Sequence, residues 1–295
     1  MKIFYHGDAD GKVSGHIVYD LVEGDTYEKE AIKINYDIPF PFEIIQKDEL
    51  VYIVDYSISP DEMRKLLAIT KNVVWIDHHI TAINKYEGFE YDIPGLRYDG
   101  IAGCELVYIY VNFLSNLGVG RTREFDPKMV RLAPMWIRYI ADRDVWKWEF
   151  GEDTKHFYAG FQLLDTTPGS SDYEHFKKAG FVEEVIANGK TVEQFKKAQR
   201  EEYLEAFSFD CKIKGFEHYK VIATNIGRQS SELYDSLKEE YDVFCNFVWN
   251  GKEFSVSVYQ GNKSVDVSEI AVHYGGGGHR GAAGFQCKEL PIISL

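Results

Sequence analysis

His6, Asp8 and Asp10 occupy alternate positions in FYHGDADG, directly after the apolar run KIFYH. In extended backbone alternate residues share a face, so one imidazole and two carboxylates can reach one point. Gly7 and Gly11 permit tight backbone geometry there. Asp55 closes a second apolar run, ELVYIVDY, and the triplet Asp77-His78-His79 closes a third, NVVWID. Asp142 and Asp144 follow in RYIADRDVWKW. Each stretch alone also reads as an ordinary turn or a helix-capping carboxylate. Buried at a strand end, such groups need a partner or a metal. Together, Asp8, Asp10, Asp55, Asp77 and Asp142 with at least one histidine make a ligand set for two divalent cations. Hard oxygen donors mixed with imidazole suit Mn²⁺, Mg²⁺ or Fe²⁺ better than a thiolate-bound structural zinc. Two such ions ~3.5–4 Å apart lower the pKa of a shared water and clamp an in-line phosphoryl displacement. Histidines outside the ligand set would donate to a phosphate oxygen or protonate the leaving group.

A second constellation lies near the C-terminus, in YGGGGHRGAAGF, residues 274–285. Four consecutive glycines followed by His-Arg-Gly-Ala-Ala-Gly are not expected to form an ordinary helix or strand. Such a loop exposes backbone N–H groups to an anion, and His279 and Arg280 add donors and charge. No GK[ST] follows, so it is not a Walker A loop. A flexible turn is the plain alternative, although flexible linkers usually carry Ser and do not end in an apolar AAGF.

The elements that must position these residues alternate. Strands are expected at 2–6, 31–35, 49–56 and 72–77, and helices at 12–23, 60–71 (opened by Ser59-Pro60-Asp61), 102–116 and 127–141. Alternation of this kind argues for a parallel sheet covered by helices on both faces. Three strands end in carboxylates, and in open α/β sheets ligands bind beyond the carboxyl ends of the strands. Several like charges gathered at one edge repel unless cations resolve them. Residues 171–214 read as a mostly helical connector, with TVEQFKKAQREEYLEAF at helical spacing. An amphipathic helix within one domain fits that stretch as well. Beyond it, strands at 218–225, 242–249 and 253–260 and helices at 230–240 and 265–274 make a smaller mixed α/β unit. The expected division is therefore 1–170, 171–214 and 215–295.

With 295 residues and 45% apolar content the chain can build two cores. A net charge of −14 argues against a broad surface for long nucleic acid, which needs clustered Lys and Arg. It leaves room for a small phosphate-containing ligand bound through cations. The four cysteines are far apart and read as reduced thiols. Charged residues follow the N-terminus too closely for a signal peptide, and no run of ~18 uncharged apolar residues occurs. The expectation is a soluble, cytoplasmic protein with no membrane segment and no obligate protein partner.

These motifs together resemble the DHH–DHHA1 phosphoesterase family. Asp8-Ala9-Asp10-Gly11 matches its DxDG, Asp55 its aspartate after a later strand, Asp77-His78-His79 its namesake triplet, and Asp142 its further aspartate, with Asp144 as the other choice. Gly276-Gly277-Gly278-His279-Arg280-Gly281-Ala282-Ala283-Gly284 matches GGGHxxAAG. The resemblance implies two Mn²⁺ in an N-terminal domain, a C-terminal substrate-binding domain, and an active site in the cleft between them. It would place His6, Asp8 and Asp55 on one ion and Asp10, Asp55, Asp77 and Asp142 on the other, with Asp55 bridging. Asp77, His78 and His79 would be the catalytic group. Gly276, Gly277, Gly278, His279 and Arg280 would grip substrate. One departure is Ser257-Val258-Tyr259-Gln260, where many members carry Ser-x-Arg-Ser. Arg228, Lys263 and Arg280 are candidates to compensate.

Members of this family include RecJ-type single-strand exonucleases, nanoRNases, 3′-phosphoadenosine 5′-phosphate phosphatases and cyclic-dinucleotide phosphodiesterases. The expectation for this chain is an Mn²⁺-dependent phosphodiesterase that degrades short single-stranded oligonucleotides to mononucleotides. Acidic charge and the absence of a basic stripe favour short substrates. A phosphatase or phosphodiesterase for a small nucleotide is the alternative. A pyrophosphatase fits the Gly-rich motif less well, and a catalytically dead binding module fits the complete aspartate set less well.

Overall fold

A computed structural model describes residues 1–22, 28–36, 38–115, 125–237 and 239–295. The chain divides into two compact units, Met1–Glu193 and Gln194–Leu295.

The first unit opens with β1 (Lys2–His6), α1 (Ala9–Leu21), β2 (Glu30–Ile34), β3 (Val51–Val54), α2 (Pro60–Ile69) and β4 (Val73–Ile76). The strands form one sheet in the order β2-β1-β3-β4, and every pairing is parallel. All residues of β3 and β4 are buried, as expected for strands covered on both faces. Ile3, Tyr5, Tyr52, Val54, Val74 and Ile76 face one core with α1. Phe4, Val51, Ile53, Val73 and Trp75 face the other, against Met63, Leu66 and Leu67 of α2. Serine opens α2 as the sequence predicts. Ser59 accepts from Glu62 N–H, the Glu62 carboxylate accepts from Ser59 N–H, and Pro60 follows. The expected helix at 12–23 begins earlier, because Asp8 caps it by accepting from Gly11 N–H at 2.9 Å; residue 23 lies outside the described residues.

The strand order places a topological switch between β1 and β3. From β1 the chain proceeds to β2 on one side, then returns to β3 on the other. The crevice at such a point, beyond the strands' carboxyl ends, is where doubly wound sheets bind ligands.

Further along, the described residues of this unit hold α3 (Ile80–Ile83), α4 (Gly103–Ile109), α5 (Met135–Asp144), α6 (Glu152–Phe161) and the start of α7 (Phe181–Phe207). The expected helix at 102–116 is α4 followed by a wider π turn at Tyr110–Leu114, and residue 116 lies outside the described residues. The expected helix at 127–141 is interrupted. Pro134 forces Ala133 into extended backbone (φ −68°, ψ 141°), so a short 3₁₀ stretch, Pro127–Leu132, precedes α5. Because α5 continues to Asp144, Asp142 and Asp144 lie on its last turn and not after it. The sequence reading did not anticipate α6.

The second unit holds β5 (Ser208–Ile213), β6 (Val221–Thr224), β7 (Val243–Trp249), β8 (Phe254–Gln260), α8 (Val267–His273), β9 (Gly277–His279), β10 (Ala282–Cys287) and β11 (Ile292–Ser294). They form one mixed sheet in the order β11-β5-β6-β7-β8-β10-β9. Residues 208–213, read as connector, are therefore a strand. The expected helix at 230–240 is a 3₁₀ stretch, Ser231–Leu237, with residue 238 outside the described residues. Asp266 caps α8, accepting from Ser268 N–H.

The Gly-rich motif is likewise corrected. It is the antiparallel β9–β10 hairpin, with His279 opposite Ala282 and Gly277 opposite Gly284. A Cβ on Gly276 would come within 2.1 Å of the Gly284 carbonyl oxygen, and Gly278 adopts φ +143°. Close backbone approach thus explains two of the glycines. Among the described residues no helix is long and apolar enough to cross a membrane.

Candidate metal centre

The parallel strands deliver the acidic and imidazole groups to one edge of the first sheet. His6 ends β1, Asp8 caps α1, and Asp10 lies in its first turn. Asp55 and Asp77 come one residue beyond β3 and β4. Asp55 adopts φ +51°, a left-handed conformation rare for non-glycine residues outside constrained sites. Among the described residues three groups of close donor atoms result: His6, Asp8 and Asp55; Asp55, Asp77, His78 and His79; and Asp10, His78 and Asp144.

Distances define how these groups share atoms. His6 Nδ1 lies 2.7 Å from Asp8 Oδ2 and 3.8 Å from Asp55 Oδ2. His78 Nε2 faces three carboxylates, with Asp55 Oδ1 at 3.2 Å, Asp144 Oδ2 at 3.5 Å and Asp10 Oδ2 at 3.7 Å. His79 Nδ1 lies 2.7 Å from Asp77 Oδ1, which also accepts from His78 N–H. Asp10 accepts from the first amides of α4, Gly103 N–H and Cys104 N–H, both at 2.7 Å. Gly103 permits this approach, since a Cβ there would sit 2.8 Å from Asp55 Cβ.

Asp142 is directed elsewhere, which corrects the sequence expectation. Its carboxylate accepts from Glu149 N–H at 2.7 Å, Phe150 N–H at 3.3 Å and the Thr154 hydroxyl. It holds the turn between α5 and α6, while Asp144 joins Asp10 and His78. Two residues apart on a helix means roughly 200° of rotation, so only one of the pair can face the sheet edge.

Electrostatics make the cluster costly without cations. Both oxygens of buried Asp55 lack a hydrogen-bond partner. Burial raises the Asp55 carboxyl well above its ordinary value, and Asp10, Asp8, Asp144 and Asp77 add to the rise. Burial and the charges of Asp10 and Asp8 also raise Asp144. Asp77 differs. Burial opposes its ionisation, yet bonds to His79 and Ser57 outweigh that and hold its carboxyl low. Orphaned buried oxygens among hard donors are what divalent cations would satisfy, so the residues present fit a metal site.

Two supporting residues carried no side-chain pattern that marked them in the sequence. The Ser57 hydroxyl donates to Asp77 Oδ2 and lies 3.1 Å from Trp75 Nε1, which donates to it. Removing it as Ser57→Ala frees one oxygen of Asp77 and loosens its orientation. Mn²⁺ affinity is expected to fall by about 10–100-fold, the usual consequence of losing a ligand-orienting bond. A metal titration followed by calorimetry checks this, and unchanged affinity would remove Asp77 from the ligand set.

Glu105, in the first turn of α4, is buried. Burial pushes its carboxyl up to about 7, Asp10 adding to the rise and Lys147 and Arg138 opposing it. The unfolded chain ionises this group near pH 4.5 and the folded chain near 7. Between these values the unfolded state binds fewer protons, so stability falls as pH rises through the window. The neutral, similarly shaped Glu105→Gln is therefore expected to gain on wild type across that window, reaching about 3 kcal/mol above pH 8. Urea melts at pH 4.5 and pH 8 measure the difference. A gain independent of pH would refute a titrating Glu105.

In the second unit, His279 and Arg280 are exposed. The Arg280 guanidinium lies 3.3 Å from the Ser264 carbonyl oxygen, to which it donates. Tyr259 donates to the Gln229 carbonyl oxygen at 2.7 Å.

No family model matches the chain. It is 24% identical to the uncharacterized protein R106 of Acanthamoeba polyphaga mimivirus, over 96% of this chain and 66% of that protein. Among solved structures, the exonuclease RecJ bound to manganese matches with a TM-score of 0.50 and 13% identity, over 97% of this chain and 85% of that one. The pGpG-specific phosphodiesterase PggH of Vibrio cholerae matches with a TM-score of 0.45 and 13% identity, over 97% and 92%. At these identities the RecJ match speaks for the fold. The chain has the α/β fold of this exonuclease, a parallel sheet with helices joined to a mixed-sheet unit, as the sequence led one to expect.

Proposed function

We propose that this chain is a divalent-metal-dependent phosphodiesterase that hydrolyses short oligonucleotides to nucleoside monophosphates. The observation that carries this reading is the gathering of Asp8, Asp10, Asp55, Asp77, Asp144, His6, His78 and His79 at one sheet edge, with both Asp55 oxygens lacking a hydrogen-bond partner. In this reading His6, Asp8 and Asp55 hold one cation, and Asp10, Asp55, Asp77 and Asp144 the other, with Asp144 in the place first given to Asp142. Bound there, Mn²⁺ or a similar ion would polarise the phosphate and activate water for in-line displacement.

The chain's own residues supply the remaining functions. Asp55, shared between two donor groups, ties both cation positions to one strand end. His79 donates to Asp77 through Nδ1–H, and Asp77 raises its pKa and so favours the imidazolium, whose Nε2–H can donate to a phosphate oxygen or protonate the leaving group. His78 is held against Asp10, Asp55 and Asp144 and lines the same edge. In the second unit, taken by itself, the exposed hairpin with Gly276, Gly277, Gly278, His279 and Arg280 offers the donors proposed to bind a phosphate group. A net charge of −14 disfavours long polyanions and favours short ones.

Incubation with end-labelled RNA and DNA dimers to pentamers and Mn²⁺ tests the reading. Release of mononucleotides, abolished by chelator, is the expected result. Failure to cleave any oligomer with Mn²⁺, Mg²⁺ or Fe²⁺ would overturn it.

A further inference from the structure

A groove of about 560 Å³ adjoins the acidic edge, within the first unit, and its lining includes Tyr36, Ile38, Tyr56, Ser57 and Lys85. Its volume lies in the range of small-molecule sites. Ser57 belongs both to the groove wall and to the acidic edge, because its hydroxyl donates to Asp77. A ligand whose phosphate engages that edge therefore has this groove beside it.

Tyr36 is the unusual feature of the wall. Its ring is 59% exposed, yet it is not a loose surface side chain. It stacks on buried Tyr56 with ring centres 4.6 Å apart, and it lies 5.9 Å from the His6 imidazole. One flat face is thus fixed from behind, at the side of a candidate ligand. Ile38, 50% exposed, extends the apolar surface, and Lys85 supplies a cation on the same groove. A rigid aromatic face beside a phosphate-handling centre suits a nucleobase, since every base offers a π face for stacking.

We propose that Tyr36 is the stacking platform for the nucleobase next to the bound phosphate, and that this groove receives the nucleoside. The inference rests on the phosphodiesterase reading for the identity of the ligand, but equilibrium binding tests it without turnover. The probes are AMP and ribose 5-phosphate, titrated into the full chain with Mg²⁺. They share a phosphate and a ribose and differ in the base.

Wild type is expected to bind AMP on the order of 10–100-fold more tightly than ribose 5-phosphate, the usual contribution of one aromatic–base stack. Tyr36→Ala should lose that advantage and leave ribose 5-phosphate binding unchanged, whereas Tyr36→Phe and Tyr36→Trp should retain it. Equal affinities of wild type for the two probes, or an AMP advantage that survives in Tyr36→Ala, would overturn the proposal. Parallel loss of both probes in Tyr36→Ala, with Tyr36→Phe intact, would also overturn it, since that marks a structural role for the ring. The expected binding pattern without oligonucleotide cleavage would keep the platform and refute the hydrolytic reading.

Discussion

Asp55→Asn is expected to lower kcat/KM on oligonucleotides by at least ~10³-fold and, in the same protein, to raise the melting temperature of the metal-free chain. Activity and stability move in opposite directions if Asp55 serves a cation, as proposed, and not the apo fold. Its oxygens are buried and accept no hydrogen bond, and the neighbouring Asp10, Asp8, Asp144 and Asp77 all oppose its ionisation. Asparagine removes that repulsion and is at least as tolerant of the φ +51° backbone. A gain of about 1–2 kcal/mol, or roughly 2–8 °C, follows for a unit of this size. Melts in chelator and in Mn²⁺ read both effects, and the Mn²⁺-induced stabilisation of wild type should shrink sharply in the variant. A metal-free variant less stable than wild type would show that Asp55 is paid for by structural contacts and not by a cation.

Asp142 and Asp144 give the second large effect, as a contrast. Asp144→Asn should cut activity by at least ~10²-fold with a melting temperature equal to or above that of wild type, because Asp144 lies among like charges. Asp142→Ala should do the reverse. It strips the acceptor from two backbone N–H groups and the Thr154 hydroxyl, at a cost on the order of 4 kcal/mol. The folded fraction should still bind Mn²⁺ with wild-type affinity. Calorimetric titration at low temperature, where the variant remains folded, separates the two. Loss of metal affinity in Asp142→Ala with unchanged stability would return Asp142 to the ligand set.

Much of this architecture was legible because it is local. Apolar runs three to five residues long, ended by His or Asp, mark β1, β3 and β4, and Ser59-Pro60 marks the start of α2. What local pattern missed has identifiable causes. The β9–β10 hairpin was hidden because glycine carries no strand signal, although close backbone approach requires it at Gly276. The break before α5 was hidden because helical spacing runs on across Pro134, while backbone sterics do not.

By itself, the order of residues determined which chemistry this chain can hold: carboxylates and imidazoles placed just past strand ends, on an α/β framework whose alternation is written in hydrophobic periodicity. Only tertiary structure decided which of them meet. The β2-β1-β3-β4 order brings the ends of β1, β3 and β4 side by side, and no spacing along the chain encodes that adjacency. The rotation of α5 turned Asp144 toward the sheet and Asp142 away, because a helix separates such neighbours by more than half a turn. Tyr36 and Ser57 gained their places in the same way, through packing between loops that are distant in sequence.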